Sequence, residues 1–139
     1  MRLARINHLG VVVADMDAAL AGFRDMLGLP LAKTEVYEGV LDIAFLPCGE
    51  TQVELIQPRV DSDPAAAYLH EHGPGIQHVA FEVDDIDAAL EHVRERGVEV
   101  IGEAPRPGAD GAAIAFLDPR SFGGILVELC QPGAAGSAR

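Results

Sequence analysis

The sequence writes one pattern twice, and that duplication narrows what the chain can fold into. His8 opens H-L-G-V-V-V-A-D-M-D-A-A-L-A-G-F-R and His78 opens H-V-A-F-E-V-D-D-I-D-A-A-L-E-H-V-R, with eight of seventeen positions identical at an offset of 70. Further on, Ile43-Ala44-Phe45-Leu46 returns as Ile114-Ala115-Phe116-Leu117, and Val53-Glu54-Leu55 returns as Val127-Glu128-Leu129. Two copies at so long a spacing describe a duplicated module rather than a solenoid. Each copy supplies a histidine early and a glutamate late, so halves that face each other would gather two imidazoles and two carboxylates.

The periodicity inside each copy sets the expected elements. Residues 5–14 put Ile6, His8, Gly10 and Val12 on one face and Asn7, Leu9, Val11 and Val13 on the other, a strand largely buried on both sides. Asp15 or Asp17 then starts a helix on which Leu20, Phe23, Met26 and Leu27 fall at helical spacing, and Gly28 suits the left-handed position that ends it. Strands are expected at about 30–37, 40–47 and 51–58, with a Gly49-Glu50 turn between the last two, so one module is βαβββ. A connector at 61–75 holds a short helix from about Pro64 to His72. The pattern then restarts with a strand at 76–83, a helix at about 86–96 ended by Gly97, and strands near 98–103, 111–118 and 124–131. Gly108-Ala109-Asp110-Gly111 lacks a phosphate-loop pattern, no helix follows it, and a hairpin turn accounts for it better.

The chain has 139 residues, enough for one shared core but not for two independent domains. The expectation is a single α+β domain over residues 1–132, with module one at about 5–58, a connector at 59–75 and module two at about 76–131. Residues 133–139 have little to bury and are expected to be mobile.

Twenty-two acidic against ten basic residues give a formal net charge of −12, which opposes attachment to nucleic acid or to an anionic membrane. No apolar run approaches the roughly 20 residues of a membrane helix, and the N-terminus has no signal-peptide core, so a cytoplasmic location is expected by default. Cys48 and Cys130 form no C-x-x-C pair and are expected as reduced thiols. Cys130, two residues after Glu128, shares that carboxylate's face of the strand.

The same alternation places Gln52, Glu54 and Ile56 on one face and Val53 and Leu55 on the other. A carboxylate among such neighbours is costly to bury unless it is paired, hydrogen-bonded or metal-bound. His8, Glu54, His78 and Glu128 form a nitrogen and oxygen donor set suited to Co²⁺, Zn²⁺, Mn²⁺ or Ni²⁺, among which softness alone does not choose. Taken singly, each would be a satisfied core histidine or a solvated glutamate; the matched pair of pairs favours one shared site. His70, His72 and His92 lack repeat partners and read as surface groups, while Asp15, Asp17, Asp84, Asp85 and Asp87 are explained by helix capping. The segment from Asp118 to Gly124 is a Gly-rich loop ahead of a site-bearing strand, and such a loop can approach a bound molecule closely. Gly123 and Arg120 are therefore candidates for substrate contact, with Arg120 expected to meet an anionic group, and Gln52, on the face of Glu54, is a further candidate. Lys33, Arg94, Arg96 and Arg106 are further candidates for phosphate contacts, each of them otherwise an ordinary surface charge.

Together these residues carry a resemblance. The chain resembles the vicinal oxygen chelate superfamily, also called the glyoxalase and bleomycin-resistance fold, in which paired βαβββ modules form a cupped, incomplete-barrel mixed sheet around a metal. Within it the chain is most similar to the methylmalonyl-CoA epimerases, on I-N-H-L-G at 6–10, V-E-L-I-Q-P at 53–58, D-S-x-P-A at 61–65, G-I-Q-H-V-A at 75–80 and G-G-I-L-V-E-L at 123–129.

The resemblance implies that His8, Glu54, His78 and Glu128 ligate one divalent ion per module pair, with Co²⁺ expected first. It implies two proton-carrying carboxylates, Glu38 ahead of the strand that leads into the Gly49 turn, and Glu128. It also implies a small acyl-CoA substrate and a homodimer. Two departures stand out: Tyr37-Glu38-Gly39-Val40 brings the glutamate closer to the glycine than in the epimerases, and Asp118-Pro119-Arg120 replaces a common His-Pro-Lys. Rival readings are a lactoylglutathione lyase, an extradiol dioxygenase or another metalloenzyme of the superfamily. From a different class comes a metal-free protein that sequesters a small molecule.

Overall fold

A computed structural model describes residues 1–133. The chain is α+β, and each copy of the repeat becomes a βαβββ module. Module one comprises β1 (Arg5–Val12), α1 (Met16–Leu20), β2 (Lys33–Tyr37), β3 (Leu41–Cys48) and β4 (Thr51–Pro58). The connector helix α2 spans Pro64–His72, with Pro64 in its first turn and the Asp63 side chain accepting from the Ala65 N–H. Module two comprises β5 (Gly75–Glu82), α3 (Ile86–Glu95), β6 (Val100–Pro107), β7 (Ala113–Leu117) and β8 (Leu126–Gln131). The chain divides into two compact units, one of residues 8–77 and one joining residues 1–7 to His78 onward. In the second unit the opening residues are held by Glu82, which receives Asn7 Nδ2 at 2.9 Å and pairs with Arg5 at 3.4 Å. Of the tail expected at 133–139, residues 134–139 lie outside the described residues.

Both modules use the same pairing. β1 lies parallel to β4 with Gly10 opposite Glu54, β4 is antiparallel to β3, and β3 is antiparallel to β2. In module two β5 lies parallel to β8 with Ala80 opposite Glu128, and β7 bridges antiparallel to β8 and β6. Because side chains alternate along a strand, Val13, Ala44, Leu46 and Leu55 turn to the helix side and pack with Leu20. The equivalent layer in module two is Ala115, Leu117, Val127 and Leu129 against Ile86, Ala89, Leu90 and Val93 of α3. His8 and Glu54 in one unit, and His78 and Glu128 in the other, point to the face away from the helix.

The helix of module one departs from the expected register. Only Met16–Leu20 is α-helical; Ala21–Met26 winds as a π-helix, with the Leu27 N–H bonding to the Gly22 carbonyl at 3.0 Å. The wider turn rotates later side chains off a 3.6-residue spacing. Met26 and Leu27, expected on the buried stripe, are 82% and 74% exposed, whereas Phe23 still packs on the core. Gly28 and Gly97 take the left-handed conformation foreseen for helix ends.

Strand β6 is also displaced from the expected 98–103, because its ladder with β7 slips between Ile101 and Arg106 and resumes to Pro107. The segment at 118–124 is no open loop: Pro119–Phe122 is a turn of 3₁₀-helix, started by the Asp118 side chain and ended by Gly123 in the left-handed region.

Candidate active site

Four polar residues of the expected set are buried where their strands pass through apolar surroundings. His8, Glu54, His78 and Glu128 are 6%, 7%, 5% and 3% exposed. Within module one His8 Nδ1 stands 3.1 Å from Glu54 Oε2; within module two His78 Nε2 stands 3.4 Å from Glu128 Oε1. Burying a carboxylate demands such compensation, and no buried side-chain nitrogen or oxygen among the described residues lacks a partner.

Each pair is framed by a phenylalanine from the repeated I-A-F-L segment. Phe45 is the cross-strand neighbour of Glu54, and Phe116 that of Glu128. Phe116 meets the His78 ring edge to face at 5.3 Å, an arrangement that fixes the imidazole plane. A cation lies over each phenylalanine: Lys33 Nζ is 5.1 Å from the Phe45 centroid and Arg106 Cζ is 5.8 Å from that of Phe116. Gln52 sits directly opposite His8 and therefore shares its face.

Glu38 occupies the turn between β2 and β3, exposed, with φ +49°. A side chain in that region is strained unless it is glycine, asparagine or aspartate, so this backbone is held against its preference. Glu35 is a carboxylate that the sequence alone did not single out. Its cross-strand partner Ile43 stands opposite Ile56, which puts Glu35 on the same face as Glu54, two strands away across β3, where Lys33 Nζ approaches it to 3.7 Å. Strand alternation between β2 and β4 was the signal that could have found it.

Arg120 is exposed, and its guanidinium is directed onto Asp118 at 2.8 Å and Glu99 at 3.3 Å. Its hydrogen bond holds the Asp118 carboxyl below the usual carboxylate range. Any anionic ligand reaching Arg120 would compete with two carboxylates. Gly123, its neighbour in the turn, uses a positive φ to close the 3₁₀ segment.

The repeat also hides a pair of glutamines that fix both helices. Gln57 Oε1 accepts from the Met16 N–H at 2.7 Å, and Gln131 Oε1 from the Ile86 N–H at 2.9 Å. These join the Asp15 and Asp85 caps, which accept from Ala18 and Ala88, and so satisfy helix N–H groups that have no partner within the helix. The recurrence of Gln-Pro two residues after each Glu-Leu was the sequence signal for them. They tie each helix to the strand that carries the buried glutamate. Cys130 is buried with Ala112 and Ile114 beside Phe116, and neither cysteine forms a disulfide.

Comparison with known proteins places this geometry. The sequence model of the glyoxalase/bleomycin resistance protein/dioxygenase superfamily matches residues 7–116. An ethylmalonyl-CoA/methylmalonyl-CoA epimerase of Cereibacter sphaeroides is 37% identical, covering 93% of this chain and 98% of that protein. The crystal structure of methylmalonyl-CoA epimerase from Mycobacterium tuberculosis has a TM-score of 0.91 at 34% identity, over 99% of this chain and 93% of that one. A Streptomyces coelicolor methylmalonyl-CoA epimerase variant in complex with 2-nitronate-propionyl-CoA has a TM-score of 0.89 at 32% identity, over 97% and 98%.

Proposed function

The chain belongs to the glyoxalase/bleomycin resistance protein/dioxygenase superfamily, and from that premise we propose that it interconverts the 2R and 2S forms of methylmalonyl-CoA. The observation that carries the reading is the duplicated, buried His–Glu pair, joined to relatives and structural neighbours that bear the epimerase name over nearly the whole chain.

In this reading His8, Glu54, His78 and Glu128 together hold one divalent cation, Co²⁺ before Zn²⁺, Mn²⁺ or Ni²⁺. The donor chemistry fits: imidazole nitrogen and carboxylate oxygen are ligands of such ions, and each buried pair brings one of each together, at 3.1 and 3.4 Å. The four residues would hold an ion whose Lewis acidity would stabilise charge developing at the thioester, an effect worth several kcal/mol.

Epimerisation requires removing the proton between thioester and carboxylate from one side and returning one to the other, so two acid–base groups are needed. Glu38 is the first and Glu128 the second. Exposure of Glu38 lets its proton exchange with water, and its strained turn is the kind of backbone cost that persists where geometry matters to chemistry. Glu35 is assigned no proton-carrying role; it pairs with Lys33. Burial of Glu128 against Phe116, by contrast, shields the second carboxylate from solvent. The protein is further taken as a cytoplasmic homodimer, an assembly that would cover the exposed Val36 of β2.

Proton NMR of methylmalonyl-CoA in deuterated water, with and without Co²⁺, tests the reading: the α-proton should exchange only with enzyme and ion present. Glu38→Gln should bind stoichiometric Co²⁺ while exchange stops, and Glu35→Gln should leave exchange intact. Undiminished exchange in Glu38→Gln would remove it as an essential base. Turnover of a glutathione hemithioacetal instead of the CoA ester would make the chain a lactoylglutathione lyase. Absence of metal from protein purified without chelator would favour the binding-protein alternative.

A further inference from the structure

We propose that Arg106 is the anion anchor of the substrate site, its guanidinium holding a phosphate of the coenzyme A moiety; the inference rests on the acyl-CoA reading above. The case begins with the slip in β6. Val100 and Ile101 stand opposite Leu117 and Phe116, but the next pairs are Arg106 with Ile114 and Pro107 with Ala113. Continued without the slip, that ladder would bring Glu103 opposite Ile114 and turn Arg106 to the helix side. The bulge reverses the parity of the strand, and residues directly opposite in an antiparallel pair share a face. Gly102, at φ +66°, and Pro105, which has no N–H to give a ladder, are the residues that make this break. The result is that an acidic residue is replaced by a guanidinium on the face that carries His78, Glu128 and Phe116.

Arg106 then lies over Phe116, itself the cross-strand neighbour of Glu128 and the edge-on neighbour of His78. It is exposed, and among the described residues it makes no ion pair. Arg2, Arg94 and Arg96 likewise make no ion pair among the described residues, but of these four cations it is Arg106 that lies over a phenylalanine beside the buried His–Glu pair. Arg5, Arg24, Lys33, Arg59 and Arg120 each meet a carboxylate. Lys33 is the instructive control, because it occupies the matching place over Phe45 yet is neutralised by Glu35. An acidic protein repels a polyanionic substrate beyond a short range, so the attraction has to come from a local cation left uncommitted. The planar fork of arginine matches an oxyanion in two hydrogen bonds.

Two oxyanions of the substrate qualify, a CoA phosphate and the malonyl carboxylate. The carboxylate adjoins the thioester that the cation would hold in the reading above and could reach the same ion, which leaves the phosphate for Arg106. Kinetics on methylmalonyl-CoA and on the methylmalonyl thioester of N-acetylcysteamine, which keeps the carboxylate and has no phosphate, separate them. Arg106→Gln should raise KM for the CoA ester about tenfold to a hundredfold with kcat little changed, flatten the salt dependence of kcat/KM, and leave the short thioester unaffected. Arg106→Lys should recover part of the KM. Equal losses on both substrates would overturn the phosphate assignment in favour of the carboxylate, and no loss on either would overturn the anchor. Titration of coenzyme A itself into wild type and Arg106→Gln supplies a readout independent of turnover. Weaker binding by the variant supports the anchor even if wild type fails to epimerise, and equal binding refutes it.

Discussion

In module one His8 meets its glutamate through Nδ1 at 3.1 Å, and in module two His78 does so through Nε2 at 3.4 Å, yet each pair lies on the same kind of strand beside its own copy of the repeated phenylalanine, Phe45 or Phe116. Both helices start on an aspartate cap and a glutamine brought from the last strand. The outer parts differ. Module one has a π-helical turn, a strained Glu38 and a Lys33–Glu35 pair; module two has a regular α3, a bulged β6 and a guanidinium without a counter-charge. The two copies thus keep the inner strands, where a change would expose or orphan a buried polar group, and diverge at the outer strands, where neighbours are few. On the proposed function this is a division of labour: paired ligands from both modules, the base from the turn that follows one outer strand and the anion anchor from the other outer strand.

Substitutions made in matched pairs break or sharpen that comparison. The largest effect is expected from His8→Ala and His78→Ala, each of which should lower α-proton exchange by several orders of magnitude and abolish stoichiometric Co²⁺ binding, although only one module has been touched. Next come the helix cores. Leu90→Ala in α3, whose side chain is buried, should cost about 2–5 kcal/mol in chemical denaturation, whereas Leu27→Ala in module one should stay within about 0.5 kcal/mol because that side chain is already in solvent. A large loss at Leu27 would restore the regular helix that the spacing predicted. Smaller still, Gln57→Ala and Gln131→Ala should each destabilise by about 1 kcal/mol, since each leaves a helix N–H without its acceptor. Unequal costs at these two positions would show that the modules dock their helices differently. Glu38→Gly should be no less stable than wild type, because glycine tolerates the positive φ, so its loss of exchange would report chemistry rather than folding.

Much of this was legible in the chain because the two periods are local. Alternation in Gln52-Val53-Glu54-Leu55-Ile56 separated the face of Glu54 from the core face, and the repeat of histidine and glutamate named four of the five buried polar residues, Asn7 being the fifth. The connector helix was legible too, since Asp63-Pro64 is a helix start in its own right. The π-helical turn was not, because Leu20, Phe23, Met26 and Leu27 satisfy a 3.6-residue pattern on paper; which hydrogen bond a turn closes depends on packing that no spacing records. The bulge in β6 was half legible, as Gly102 and Pro105 mark a weak strand, but the side to which Arg106 turns is fixed by pairing with β7. Arg120 looked like an anion contact from its loop, and the structure instead gives it Asp118 and Glu99. Local sequence identifies charged groups; partners decide which of them remain uncommitted.

The claim on which the rest depends is that the two modules grip a single cation together. Equilibrium dialysis of Co²⁺ against the wild-type chain and the His8→Ala and His78→Ala variants tests it most directly. The account predicts one ion per wild-type chain and none held stoichiometrically by either variant. Two ions per chain, or full occupancy in a variant that keeps only one histidine, would contradict it.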